Sequence, residues 1–170
     1  MLYLPENVRP APWRSTYIVT PDLKALEESI RDNGIVYPLV VQKDTSYIID
    51  GFARWLIAQK HGMKFEINWR SLDEVDAMVL HVQLNRARGA VVAKDLSNLI
   101  QRVLRSKKYE YDEVRELLGM TVDEFDVMAD GSLVKRKRAK QHKYSRAWVP
   151  VETSGLAERP DIERPKTPDR

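Results

Sequence analysis

The run Tyr47-Ile48-Ile49-Asp50-Gly51-Phe52-Ala53-Arg54-Trp55 constrains this chain more than any other. Three β-favouring residues are halted by Asp-Gly, and a helical pattern follows at once through Leu56, Ala58 and Gln59 to a stop at Gly62. Upstream, Pro38-Leu39-Val40-Val41-Gln42-Lys43 reads as a strand and Asp44-Thr45-Ser46 as a turn. Tyr47 to Ile49 is then the return strand of a hairpin. A hairpin that feeds straight into a helix leaves the helix's first amides, which have no intrahelical partner, at the end of a strand.

The flanking segments predict an α+β fold, a small mixed sheet with flanking helices. Val8 to Tyr17, with Pro10, Pro12 and Trp13, reads as an extended lead-in. Thr20-Pro21-Asp22 reads as a helix start with Thr20 as N-cap. Leu23, Leu26 and Ile30 form its buried stripe, and Gly34 is the expected αL stop. Lys64 to Trp69 alternates as a strand, with Phe65, Ile67 and Trp69 on one face. Ser71-Leu72-Asp73-Glu74 reads as a capping box opening a helix through Val75, Met78, Val79 and Val82.

Asn85-Arg86-Ala87-Arg88-Gly89 interrupts, and a longer helix follows through Val92, Leu96, Leu99, Ile100, Val103 and Leu104. Asp112 to Leu118, Gly119-Met120 and a second capping box, Thr121 to Glu124, predict two short helices across a turn, a helix-turn-helix pattern. From Thr153 the chain is rich in proline and poor in apolar residues, so disorder is expected. The expected organisation is 1–90 as the mixed domain, 91–130 as the helical segment, 131–150 as a basic arm and 151–170 as a disordered tail.

Charge is unevenly spread. The net charge is only +3, yet 131–150 holds Lys135, Arg136, Lys137, Arg138, Lys140, Lys143 and Arg146 and no acid. His142, Tyr144 and Trp148 are interleaved with them. Such a block can attract phosphate backbones and stack on bases; a plain solvated tail is the other reading. The second helix of the pair carries Asp123, Glu124 and Asp126, which would repel phosphates. Those two helices therefore read as a packing unit, with DNA contact assigned to the arm.

The chain has no cysteine, which excludes disulfides, thiolate catalysis and Cys-based zinc sites. No apolar run approaches a membrane span and the first residues lack a signal-peptide layout, so a cytoplasmic location without a membrane partner is the default expectation. His61, His81 and His142 lack metal-ligand spacing, and His61 and His81 read as surface or partly buried imidazoles. Asp73, Glu74 and Asp76 read as helix-start acids, and no nucleophilic triad is legible.

Two clusters carry candidate chemistry. At Asp50–Arg54, free amides at a helix start plus an arginine one turn in make an anion site, and Gly51 clears room for a ligand. The same residues also suit a plain capped junction with Arg54 in a salt bridge. At Asn85–Gly89, two cations and a carboxamide follow a helix, where Asn85 can help hold a phosphate-bound Mg²⁺; a solvated helix end is the alternative.

The order of these motifs resembles the ParB N-terminal family, also called ParB/sulfiredoxin-like. The resemblance rests on Gly34-Ile35-Val36-Tyr37-Pro38-Leu39-Val40-Val41, the hairpin, Gly51-x-x-Arg54 with Ala58, Gly62, and Asn85-x-x-Arg88, and spans about residues 8–105. It implies that Gly34, Pro38 and Leu39 shape a nucleotide pocket, that Gly51 and Arg54 hold phosphates, and that Asn85 places Mg²⁺ beside Arg88. It also implies a bacterial, phage or mobile-element origin. DNA is the expected partner, with a homodimer or a protein partner also compatible.

In partition proteins of this family, CTP drives a sliding clamp on DNA. The implied function is a ParB-like DNA-binding regulatory or partition-type protein, gated by CTP or ATP at the Asp50–Arg54 turn, with weak nucleoside triphosphatase activity left open. Phe52, Ala53, Leu84 and Ala87 stand where the family usually has Glu, Arg, an acid and Gln. Ala53 and the absence of cysteine exclude sulfiredoxin chemistry. Asp50-Gly51-x-x-Arg54 also resembles the free-serine kinases of this fold, so the alternative is an enzyme: a phosphotransferase with Asp50 as base, or a nuclease.

Overall fold

β3 (Leu39–Gln42) and β4 (Tyr47–Asp50) form the predicted antiparallel hairpin in the computed structural model, which describes residues 1–86, 88 and 91–131. α2 (Phe52–His61) follows after the single residue Gly51. β5 (Phe65–Arg70) then returns beside β3, in parallel, and not beside β4. β3 is thereby the centre of a five-stranded mixed sheet. Its edges are β1 (Leu2–Tyr3), antiparallel to β5, and β2 (Arg9–Pro10), parallel to β4.

The two faces of the sheet bury different cores. Leu39, Val41 and Ile48 pack with Trp55 and Ala58 of α2, Val8 and Phe65. Ile49, one residue on, faces the other core with Trp13, with Ala77, Met78 and Val82 of α3 (Glu74–Arg86), and with the helices that follow. The period of two in a strand sends neighbours to opposite faces, so a strand covered on both sides reads as a continuous apolar run. That is why Leu39-Val40-Val41 has no polar alternation.

α4 (Ala93–Arg105) buries Leu96, Leu99, Ile100 and Val103, the predicted stripe at helical spacing. α5 (Tyr111–Leu117) and α6 (Val122–Ala129) close this core with Val114, Leu118, Met120 and Phe125. Phe125 is fully buried, with Tyr111 edge-on at 4.8 Å between centroids. Gln83 of α3 donates to Leu117 O at 2.7 Å, and Arg86 grips Glu124 of α6 with two bonds of 2.8 and 2.7 Å. The pair α5–α6 is thus fastened to α3 as well as packed on α4. Among the described residues, no helix is long and apolar enough to cross a membrane.

Several helix ends differ from the sequence expectation. α1 (Thr20–Asn33) starts one residue early, so Val19 is the N-cap and Thr20 lies inside the helix. Gly34 has the expected positive φ of 72°, but its ψ of −175° is extended and not αL. The chain leaves α1 straight towards β3 instead of curling back, and that conformation is nearly closed to residues with a Cβ. α3 is capped by Asp73, whose Oδ1 accepts from Asp76 N–H at 3.0 Å, and not by Ser71. Glu74 pairs with Arg102 of α4 instead of closing a box. At α6, Thr121 does accept from Glu124 N–H, while the Glu124 carboxylate is turned to Arg86.

The basic block Lys135, Arg136, Lys137, Arg138, Lys140, Lys143 and Arg146 lies outside the described residues, as do the tail and Ala87 and Gly89.

Candidate functional site

The strand-to-helix turn forms one wall of a cavity of about 680 Å³, within the range of small-molecule sites. β4 delivers Asp50 to its floor, and α2 begins above it. Gly51 sits at φ 99°, where a Cβ would lie 2.9 Å from Leu39 Cγ and 3.0 Å from Arg54 Nη2. A side chain at this position would be strained and would push Arg54 aside. The first intrahelical bond of α2 is Trp55 N–H to Gly51 O, and no side chain caps the helix. The amides of Phe52, Ala53 and Arg54 therefore precede the helix ladder, beside cavity-lining residues, in the arrangement that favours an anion.

Two guanidinium groups converge on one carboxylate here. Arg54 donates through Nη2 to Asp50 Oδ2 at 2.9 Å, and through Nη1 to Tyr37 O at 2.6 Å and Pro38 O at 2.9 Å. Arg88 donates through Nη1 to both Asp50 oxygens, at 2.9 and 3.0 Å. Asp50 is 8% exposed and Arg54 16%, while Arg88 is 56% exposed. Arg54 is thus a fixed part of the wall, and Arg88 reaches over from solvent after α3. Burial pulls the Arg54 guanidinium below its ordinary value, with Asp50 acting against that pull.

The lead-in contributes a third cation. Arg14 lies 3.5 Å over the Phe52 ring, in cation–π geometry, and lines the cavity. Its Nη1 is buried without a hydrogen-bond partner. Three arginines against one carboxylate leave the site positively charged. The rest of the lining, including Ile18, Leu26, Tyr37, Ile48 and Leu84, is apolar or aromatic.

His81 ties three walls together. Its Nδ1–H donates to Ile49 O at 2.6 Å, because a carbonyl can only accept. Nε2 then accepts from Ser15 N–H at 3.2 Å. The imidazole is neutral, and it links α3 to the strand residue before Asp50 and to the lead-in residue after Arg14. It is 2% exposed, not the surface or partly buried group that the sequence suggested. The missed signal was its spacing: Met78, His81, Val82 and Asn85 form one buried stripe of α3.

Burial holds the His81 imidazole below its ordinary value, while the Ile49 carbonyl and Asp50 pull the other way. The folded state therefore keeps the neutral ring to lower pH than the unfolded chain, which takes up a proton below about pH 6.5. The stability due to neutral His81 is complete above that value and is lost on acidification, by up to about 1.4 kcal/mol per pH unit. Urea unfolding between pH 7 and pH 5 checks this: His81→Gln should flatten the dependence, and a flat wild-type profile would contradict it.

The residues expected at the site divide into two groups. Asp50, Gly51, Arg54, Pro38, Asn85 and Arg88 line one cavity. Leu39 lies beneath it, wholly buried, as the neighbour that keeps position 51 a glycine, and Gly34 is not in the lining. Arg14 and His81 belong to the lining and were not among the sequence candidates. Asn85 spends its Nδ2 on His81 O at 2.8 Å and is 7% exposed, which leaves Oδ1 as its uncommitted acceptor. Among the described residues, the only carboxylate in the lining is Asp50, already shared by two arginines. Mg²⁺ asks for oxygen ligands, usually one or two carboxylates together with substrate phosphates and waters. With Asp50 engaged by two arginines, the described lining does not by itself make a protein-held Mg²⁺ site.

No family model and no curated protein sequence matches the chain. Solved structures do. The C-terminally truncated chromosome-partitioning protein ParB from Caulobacter crescentus, complexed to the centromeric parS site, is 17% identical with a TM-score of 0.53, covering 84% of this chain and 81% of that one. The same protein complexed with CTP-gamma-S is 17% identical with a TM-score of 0.46, over 85% and 92% of the two chains. A Pnob8-like ParB-N domain is 16% identical with a TM-score of 0.49, over 84% of this chain and 51% of that one. With the strand order, the hairpin-to-helix turn and the likeness to the parS-bound protein, the chain has a ParB-like α+β fold.

Proposed function

We propose that this chain is a ParB-like DNA-binding regulatory protein whose cavity binds a nucleotide, CTP or ATP, by its phosphates. The observation that carries the reading is the convergence of Arg54 and Arg88 on Asp50 at the open start of α2. Two guanidinium forks and uncapped helix amides are the parts from which phosphate sites are built. Asp50 holds the place that an anionic ligand would take. The apolar and aromatic remainder of the cavity suits a ribose and base. A fold shared with a partition protein crystallised on its DNA site adds support for DNA as a partner.

DNA contact is assigned to the basic block 131–150. Among the described residues, α6 is poorly suited by charge to read phosphates: Asp123 and Asp126 lie on it, and its Glu124 is occupied by Arg86. Both Asp50 oxygens accept from guanidinium groups, which favours a role in holding the two arginines over that of a general base in phosphoryl transfer.

Fluorescence anisotropy of a labelled duplex tests the reading. Binding should weaken steeply with salt, because arginine and lysine contacts release counterions, and adding CTP or ATP should change the affinity. Absence of binding at low salt, or affinity indifferent to every nucleotide, would overturn it.

A further inference from the structure

We infer that the phosphate site works without a metal ion, with Arg54 and Arg88 supplying the countercharge and Asp50 acting as a built-in competitor. The inference rests on the nucleotide-binding reading above and adds how the charge is neutralised. Two observations carry it. Among the described residues, the lining holds a single carboxylate, and both of its oxygens are taken by arginines at 2.9 to 3.0 Å. Leu84, beside Asn85 in the lining, is apolar and offers no oxygen ligand from its side chain.

Cationic charge is already in place. Arg54 is anchored by two backbone carbonyls, so its fork keeps its orientation when Asp50 lets go. Arg88 is mostly exposed and can follow the incoming phosphate. The ligand class is a phosphate ester bound directly through guanidinium groups and the α2 amides. A triphosphate stripped of Mg²⁺ is more negative, so its attraction to this pair does not fall.

The same geometry sets the sign of an Asp50 substitution. Were Asp50 a metal ligand, Asp50→Asn would weaken nucleotide binding. As a competitor for the two arginines, its neutralisation should strengthen binding.

Calorimetric titration of CTP and ATP into the full chain, with Mg²⁺ and again with excess EDTA, tests the inference. The expected affinities agree within about threefold, because charged guanidinium–phosphate bonds need no metal. Asp50→Asn in EDTA should bind about fivefold tighter, the order of a lost charge competitor. Binding in Mg²⁺ that falls more than about tenfold in EDTA would overturn metal independence, a weaker folded Asp50→Asn would overturn the competitor role, and either would leave the nucleotide reading standing. Absence of binding in both conditions would overturn both.

Discussion

Arg54→Ala should weaken nucleotide binding by about 100-fold. Arg54 is the one cation of the site that the fold locks in place, through Tyr37 O, Pro38 O and Asp50. A charge-assisted hydrogen bond contributes about 1.5–3 kcal/mol, and about 1.4 kcal/mol is tenfold in affinity. Losing a two-pronged contact to phosphate therefore costs roughly two decades. Arg54→Lys should recover only part of this, because one ammonium cannot serve the two carbonyls and a phosphate together. The Ala variant also leaves Asp50, 8% exposed, with Arg88 alone. A stability loss of about 1–2 kcal/mol is expected alongside, and thermal unfolding separates it from the binding loss. Unchanged affinity in a folded Arg54→Ala protein would remove Arg54 from the site.

Deleting residues 131–150 should abolish DNA binding at physiological salt while leaving nucleotide binding intact. The block carries seven cations and no acid. If each neutralises one phosphate, the slope of log affinity against log salt should fall in magnitude by about six. Nucleotide binding should persist, because Arg14, Arg54, Arg88 and the α2 amides are all outside the deletion. Duplex binding with an unaltered salt slope in the deleted chain would place the contact elsewhere.

Local physics made part of this site legible. Asp-Gly after an apolar strand and before a helix predicted the turn, and the structure places the predicted Asp50, Gly51 and Arg54 in one cavity wall. Asn85 and Arg88 join them from the end of α3. The α4 stripe and the hairpin were equally plain, because helical and strand periods set which residues face a core.

Other parts depend on distant partners. β1 has two residues and exists only through its pairing with β5, so Leu2-Tyr3 carries no strand pattern of its own. Arg14 reaches the site because the lead-in is pinned by Thr16 bridging Val91 and by Val92 N–H donating to Ser15 O at 2.8 Å. Nothing near Arg14 in sequence announces Phe52. Ser71 and Glu74 have the spacing of a capping box, but Asp73 caps the helix and Arg102 takes Glu74. Tertiary ion pairs there outweigh a local motif. His81 is legible by spacing alone, because it falls on the buried Met78–Asn85 stripe of α3.

The most direct test of the central claim is an NMR titration that follows arginine side-chain N–H groups and backbone amides as CTP or ATP is added. Saturable shifts are expected at the Arg54 and Arg88 guanidinium groups and at the amides of Gly51, Phe52 and Ala53. Shifts confined to the basic block 131–150, with the Asp50–Arg54 turn unmoved, would contradict it.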